Sequence, residues 1–403
     1  MNIIQLCCFA STTSFNTQVA HMTVAMTELN AEKHAERQIE KQHKDLKAQC
    51  QVRERSTSPL IKIEGLAYMV LFRPDIEKAA KFFVDYGLLL DKREEETIYL
   101  RGLTTEHHII VIKKGPQEVA TIGLKASEAG VEILAKEYGQ PIKTHPEPMG
   151  GKYVTLIDPN GLTVEVNCNF TPLIDLKKEV IADQWNNAGE KLRINEPMRN
   201  PISPLTVQKL GHSLYSVANF KKTVHWYQDT FGMIVSDFQM LPGDDKPIVA
   251  FMRCDKGDVP SDHHTLGFAV APELGHSHSA FEMDTFEEIA IAKEWMSHRD
   301  SDLKYKHGWG IGRHVLGSQV FDYWRDPFGD MFEHYADGDL FSDTKQAGYH
   351  LFSGSAQHQW GPEMTNEFKG LNRRWETVKS VFKRLPTKDD LTLSKLLKMM
   401  KAI

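Results

Sequence analysis

Residues 321–335 read FDYWRDPFGDMFEHY, and residues 154–167 read VTLIDPNGLTVEVN. Each is an extended run, an Asp-Pro-X-Gly turn and a second extended run, the pattern of two strands joined at a tight turn. The likeness continues on either side. IEGLAYMVLFRPDIEKAAKFFVDYGLLL (63–90) matches VQKLGHSLYSVANFKKTVHWYQDTFGMIV (207–235) as strand, turn and amphipathic helix. In both, an aromatic pair (Phe82-Phe83, Trp226-Tyr227) precedes a helix-stopping Gly87 or Gly232. EHHIIVIKKG (106–115) likewise matches DHHTLGFAVAP (262–272). Each half therefore reads as two strand-helix-three-strand units, and the chain holds four. Such duplication arises when one unit cannot bury its apolar face alone.

The pattern divides the chain into an N-terminal extension (1–60), partly helical or mobile, a first module (61–173), a second module (205–340) and a partly helical C-terminal extension (341–403). A length of 403 residues leaves room for two or three domains. Apolar content of 41% and charged content of 25% are those of a soluble globular protein. A formal charge of -6, with no Lys/Arg-dense patch in the globular part, argues against a nucleic-acid partner. The five cysteines (Cys7, Cys8, Cys50, Cys168, Cys254) are scattered without zinc-type spacing, so reduced thiols and a cytoplasmic location are expected. No stretch reaches the ~20 apolar residues of a membrane span. The opening 26 residues lack Lys, Arg, Asp and Glu, but also lack the basic start of a secretory signal, so Met22 or Met26 is the expected translation start. Residues 28–54 are charge-dense and suit an exposed helix or a mobile arm.

Where the halves differ decides which one carries chemistry. His212 falls opposite Tyr68, and the segment holding His278 falls opposite the His-free EVATIGLKAS (118–127). Glu333 keeps a counterpart in Glu165. A lone glutamate cannot assemble a metal site, so the first half is expected to have kept the fold and lost the metal, leaving a structural or substrate-shaping role. In the second half, two imidazoles and one carboxylate on strand-like stretches offer a site with open neighbouring positions. Iron(II) needs that arrangement to hold an organic chelate and dioxygen side by side. Alternation along the strand points Met331, Glu333 and Tyr335 one way and Phe332 and His334 the other, so Glu333 and His334 cannot serve one site. The Asp326-Pro327-Phe328-Gly329 turn brings Tyr323 to the same cavity as Glu333. His276 competes with His278, since two residues apart on a strand they share a face.

On these residues the second half resembles the catalytic module of the type I extradiol catechol dioxygenases, in the vicinal-oxygen-chelate superfamily. The match is good over about 206–340 and extends to 61–170 by module architecture. The resemblance implies an α+β fold: tandem modules of four βαβββ units forming two open, cup-shaped β-barrels with outer helices. Its Gly-His opening a strand matches Gly211-His212, its second ligand matches His278 in HSAFEMDTFEEI (278–289), and its glutamate seven residues after the Asp of the turn matches Glu333. That register favours His278 over His276. The HHT motif at 263–265 then makes His264 the acid-base residue, GRH at 312–314 places His314 beside a substrate hydroxyl, and Tyr323 matches a tyrosine that hydrogen-bonds the ligated substrate oxygen. In one departure, VLGSQ (315–319) stands where many relatives have an Asn or Asp.

The implied reaction inserts both atoms of O2 beside the vicinal diol of an aromatic ring, with Fe(II), or Mn(II), as cofactor and a homo-oligomer as the assembly. The strings GRHVLGSQVFDYWRDPFG (312–329) and EHYADGDLF (333–341) resemble the branch acting on trihydroxytoluene and other substituted catechols. Trp309, Phe321 and Trp324 are candidates to line a ring pocket. In LFSGSAQHQWGPEMTNEF (351–368), Trp360-Gly361-Pro362 either covers the mouth of that pocket or packs outside the module. Residues 369–400 read as basic amphipathic helix interrupted at Pro386. Two rivals share the fold: a glyoxalase- or epimerase-like lyase or isomerase, which commonly takes ligands from both halves, and a non-catalytic binding protein of the bleomycin-resistance type, which lacks a metal triad.

Overall fold

The computed structural model describes residues 33–34, 36–146, 149–176, 185–297, 305–369, 374–384 and 390–402. Met22, Met26 and Pro386 lie outside the described residues. Residues 36–49 form helix α1, exposed along almost its whole length, as its charge density predicts. Its ion pair from Lys44 to Glu40, at 2.7 Å, is open to water and contributes little. No helix among the described residues is long and apolar enough to cross a membrane.

The first half runs β1 (Gly65–Arg73), α2 (Ile76–Asp85), β2 (Leu89–Arg93), β3 (Thr97–Arg101), β4 (Ile110–Lys114), β5 (Glu118–Lys125), α3 (Glu128–Tyr138), β6 (Lys143–Thr144), β7 (Lys152–Ile157) and β8 (Thr163–Cys168). The second runs β9 (Leu210–Ser216), α4 (Phe220–Phe231), β10 (Ile234–Met240), β11 (Pro247–Arg253), β12 (Ser261–Asp262), β13 (Leu266–Ala269), β14 (Gly275–Glu282), α5 (Phe286–Ser297), β15 (Lys306–His314), β16 (Val320–Arg325) and β17 (Met331–Ala336). Beyond it come β18 (Leu340–Phe341), β19 (Gly348–Leu351), β20 (His358–Trp360), α6 (Arg374–Arg384) and α7 (Leu393–Ala402).

Each half folds into one mixed sheet: β2-β3-β4-β1-β5-β8-β7-β6 in the first, β19-β10-β11-β13-β9-β14-β17-β16-β15-β20 in the second. The repeat holds in topology. β1 pairs parallel to β4 and antiparallel to β5, as β9 pairs parallel to β13 and antiparallel to β14. Each sheet curves round a cavity whose lining comes from strands near both of its ends, which makes it a cup. β19 and β20, from beyond residue 340, cap the two edges of the second sheet and shield unpaired backbone groups there.

Local chemistry explains the repeat. Asp158 Oδ1 accepts from the backbone N–H groups of Asn160 and Leu162 at 2.7 and 2.9 Å, and Asp326 Oδ1 accepts from those of Phe328 and Asp330, both at 2.9 Å. Both turns close on a glycine with positive φ, Gly161 at 91° and Gly329 at 98°. Each turn also docks on the opposite half. Arg73, fully buried, donates to Asp326 at 3.0 Å and to Asp330 at 2.6 Å, while Asn160 donates to Thr223 on α4 at 2.8 Å. Removing one partner of such a buried pair leaves an uncompensated charge, so these contacts fix how the halves meet. His334, on the outer face of β17 as alternation requires, stacks on Tyr86 of the first half at 3.7 Å and hydrogen-bonds its carbonyl at 2.7 Å.

Candidate metal centre and active site

Three adjacent strands of the second sheet carry the three candidate ligands. His212 on β9 and Glu333 on β17 both pair across from Ala280 on β14, and His278 stands two residues before Ala280 on the same inner face. All are buried, with 1%, 0% and 8% of their surfaces exposed for His212, Glu333 and His278. Glu333 Oε2 lies 3.3 Å from His212 Nε2 and 3.4 Å from His278 Nε2, and the three donor atoms all fall within 4.8 Å of one another. Among the described residues this is the one grouping of His, Cys, Asp or Glu with that geometry.

The arrangement fits a divalent ion. Bonds of about 2.0–2.2 Å to imidazole and carboxylate place neighbouring donors about 3 Å apart. Burial pushes the His278 imidazole down to about 3, leaving it neutral, as a ligand must be. Burial also opposes charge on Glu333, yet the rings of His212 and His314 facing it outweigh that cost and hold its carboxyl well below the ordinary range. Its Oε1 is buried without a hydrogen-bond donor, a charged oxygen that a cation would satisfy.

A β-bulge sends the two histidines to opposite faces of the strand. Between His276 and His278 the pairing with β9 shifts by one residue, His276 standing opposite Tyr215 and His278 opposite Leu214. The inserted Ser277 therefore turns His276 to the other face, where it hydrogen-bonds Ser279 at 2.8 Å. The expectation that His276 and His278 share a face is corrected: simple alternation fails at the bulge.

His264, His314 and Tyr323 come to the same cavity, of about 160 Å3. The His264 ring centre lies 4.0 Å from that of His212. Burial first, and then the neighbouring His212, push His264 well below its usual value, so it is neutral. Its tautomer is tied to that of its neighbour. His263 Nε2–H donates to Asp237 Oδ2 at 2.6 Å, and the Nδ1 atoms of His263 and His264 share a hydrogen bond at 2.9 Å; when Nδ1 of His263 is the acceptor, His264 Nδ1–H is the donor. That arrangement leaves His264 Nε2 with a lone pair. Asp237 Oδ1 in turn accepts from His350 Nε2–H at 2.7 Å, and 39% of the His350 side chain is exposed, so the chain of contacts reaches solvent. Burial opposes charge on Asp237, but the hydrogen bonds from His263 and His350 bring its carboxyl down to about 2.

On the opposite wall His314 Nδ1–H donates to the Gln357 carbonyl at 2.9 Å, which fixes Nε2 as an acceptor for the Tyr323 hydroxyl, also at 2.9 Å. Tyr323 pairs directly across from Glu333, as the turn predicts. Burial and the Glu333 charge raise its phenol well above the usual value, so it keeps its proton. Trp309 lines the cavity, with its ring parallel to that of Tyr323 at 5.9 Å. Phe321 stacks behind His314 at 4.1 Å instead of lining it, and Trp324 bonds Asp322 at 2.6 Å on the far face of its strand. Trp360 lies outside, 44% exposed, whereas Phe352, Gln357 and Phe368 of the tail form part of the wall. In the VLGSQ departure, Leu316 and Gln319 reach the cavity. Asp237, His350, Gln357 and Phe368 carry no motif that singles them out; they reach the site through pairings far apart in sequence, such as β10 with β19.

Known proteins share both the sequence pattern and the fold. A family model described as the Glyoxalase/Bleomycin resistance protein/Dioxygenase superfamily matches residues 209–334. Metapyrocatechase 2 of Cupriavidus necator is 30% identical over 324 residues, covering 78% of this chain and 95% of that protein. Homoprotocatechuate 2,3-dioxygenase from Arthrobacter globiformis superposes with a TM-score of 0.62 at 21% identity, over 78% of this chain and 92% of that one. The Mn(II)-bound glyoxalase from Novosphingobium aromaticivorans does so with a TM-score of 0.62 at 19% identity, over 76% and 94%. At these identities the superpositions speak to the fold.

Proposed function

The chain belongs to the extradiol dioxygenases of the vicinal-oxygen-chelate superfamily, and on that basis we propose that it opens the ring of a substituted or polyhydroxylated catechol with Fe(II) held by His212, His278 and Glu333. One observation carries the reading: the three donors converge in a buried cup where a further imidazole, that of His264, stands 4.0 Å from the His212 ring. Held there, the metal would supply Lewis acidity toward a vicinal diol and reactivity toward dioxygen, and Mn(II) suits the same donors.

The protein's own part is to hold the ring, exclude water and move protons. Phe251, Trp309 and Phe368 give the cavity apolar walls. His264 takes a proton from a hydroxyl of the diol and returns it to oxygen as the ring bond beside the diol breaks. Because burial disfavours its charged form, it accepts that proton only beside the negative charge of a bound substrate. His314 accepts the hydrogen bond of the Tyr323 hydroxyl and so holds the phenol oxygen at the cavity wall, where it accepts a hydrogen bond from a hydroxyl of the substrate. Both atoms of O2 end in an open-chain oxo-acid, so no external reductant is required.

The test is anaerobic purification with Fe(II), then addition of oxygen to a panel of catechols. Uptake of one O2 per diol, with a yellow ring-fission product, is expected. A metal-loaded protein that consumes no oxygen with any vicinal diol would overturn the reading.

A further inference from the structure

The cup of the first half encloses about 200 Å3, against about 160 Å3 in the second. Strand registers map one onto the other. Met69 pairs with Ile110 as Ser213 pairs with Leu266, so Tyr68 stands at the place of His212 and His108 at that of His264. Gly123 pairs with Glu165 as Ala280 pairs with Glu333, so Thr121 stands at the place of His278. Thr144 pairs with Lys152 as Arg313 pairs with Val320, which puts His145 where His314 is. The first cup has therefore exchanged both ligand histidines and kept the polar positions around them.

The exchange is built into the packing. The Tyr68 hydroxyl donates to Glu165, taking the position a cation holds in such a site, and lies 3.3 Å from Asn167 Oδ1. A Cβ at Gly123 would stand 2.8 Å from the Tyr68 ring, so the larger ring requires glycine there. The kept imidazoles still face the cavity. His108, nine-tenths buried, makes no hydrogen bond to a described residue, and its ring lies 5.1 Å from Tyr68 and 5.3 Å from Tyr99. His145 stacks on Tyr153 at 4.1 Å. Besides Glu165, three charged side chains line this cavity and have no counterpart in the lining of the other. Asp91 lies 3.7 Å from His107, and Lys92 pairs with Glu94 at 2.6 Å. Lys113 stands where Ala269 does, is exposed, and has no ion pair with a described residue. Burial first, then the neighbouring His107, His145 and Lys113 in that order, hold His108 down to about 3, so it is a neutral group.

We propose that the first cup is a second ligand site, without metal, for a small planar carboxylate. Lys113 meets the carboxylate, the aromatic faces of Tyr99 and Tyr153 flank the ring or conjugated chain, and the unpartnered His108 supplies a hydrogen bond. The chemistry fits an aromatic acid or the conjugated open-chain acid made by ring fission. Only the second source rests on the dioxygenase reading.

Calorimetric titration of the metal-loaded chain with benzoate, with benzyl alcohol, and with the ring-fission product of catechol tests this. Benzoate should bind at one site that Lys113→Ala weakens at least about tenfold, the scale of one charge-assisted contact. Val70→Trp, which fills the cup, should abolish that site, and His264→Ala in the other cup should leave it intact. Benzyl alcohol should bind at least about tenfold more weakly than benzoate, for the same reason. Benzoate binding alone assigns the aromatic acid as the source, and tighter binding of the ring-fission product assigns the open-chain acid. Absence of binding by either acid, or binding unchanged by both Lys113→Ala and Val70→Trp, overturns the proposal. The benzoate arm needs no turnover, so it stands if oxygen uptake fails.

Discussion

On one sheet, strands β9, β14 and β17 present His212, His278 and Glu333 to a cup; on the other, β1, β5 and β8 present Tyr68, Thr121 and Glu165 in the same register. The backbone is shared, so the fold alone does not make a metal site. In each cup a carboxylate on the inner face must be satisfied, fully buried at Glu333 and half-buried at Glu165. The first half does this with a phenol hydroxyl inside the protein, and the second leaves Glu333 facing two imidazoles at 3.3 and 3.4 Å. Neutralising a carboxylate with a fixed donor closes the position; leaving it to imidazole donors opens it to a cation.

The contrast between the cups is lost most completely when one ligand is removed. His212→Ala should abolish iron binding and ring fission together, with the fold kept, because the first half folds without that histidine. Metal analysis alongside oxygen uptake checks this; full activity would overturn the site. His264→Ala should instead keep the metal and lose about 10²–10⁴ in kcat, the usual scale for a positioned acid-base group. Its counterpart change, His108→Ala in the first cup, should leave kcat unaltered.

Asp237→Asn acts at a residue separated from the candidate ligand His212 by two others, His263 and His264. It removes the acceptor that fixes His263 and through it His264, and a loss of about 10–100-fold in kcat with metal retained is expected. The same carboxylate links stability to pH. Its folded value of about 2 lies below the unfolded value near 3.9, so its contribution is complete above about pH 4 and is lost as pH falls toward 2. A depression of that size contributes roughly 2–3 kcal/mol at neutral pH. Acid titration of wild type and Asp237→Asn should therefore converge near pH 2 and diverge above it. In the first cup, Tyr68→Phe should remove the hydroxyl donor to Glu165 and cost about 0.5–1.5 kcal/mol without altering iron content, read by thermal unfolding and metal analysis.

Much of this contrast is legible in the chain, and the exceptions have a common cause. The two Asp-Pro-X-Gly turns fix antiparallel pairs locally, so the placing of Glu333 beside Tyr323 and away from His334 follows from turn chemistry and alternation alone. The alignment of the repeats places Tyr68 opposite His212. What is not legible depends on pairings between distant segments. Asp237 meets His350 only because β19 joins the sheet edge beside β10, and Gln357 fixes the His314 tautomer only because the tail returns over β15. The match of His145 to His314 is hidden because the intervening sequences differ in length and composition, and only the register reveals it.

The smallest effect is expected at the one place where alternation itself fails. If Ser277 were an ordinary strand residue, His276 and His278 would share the inner face and His276→Ala would weaken iron binding. The bulge instead faces His276 toward Ser279 and Phe332, outside the cup. His276→Ala should therefore keep iron stoichiometry and hold kcat within about twofold, a change of less than about 0.5 kcal/mol. Deleting Ser277 should be far more damaging, because restoring regular alternation would rotate either His278 out of the cup or the strand before it out of register. Iron content of the two variants, measured side by side, decides between a bulged and a regular strand: loss in the deletion with retention in His276→Ala is the bulged outcome, and the reverse order is the regular one.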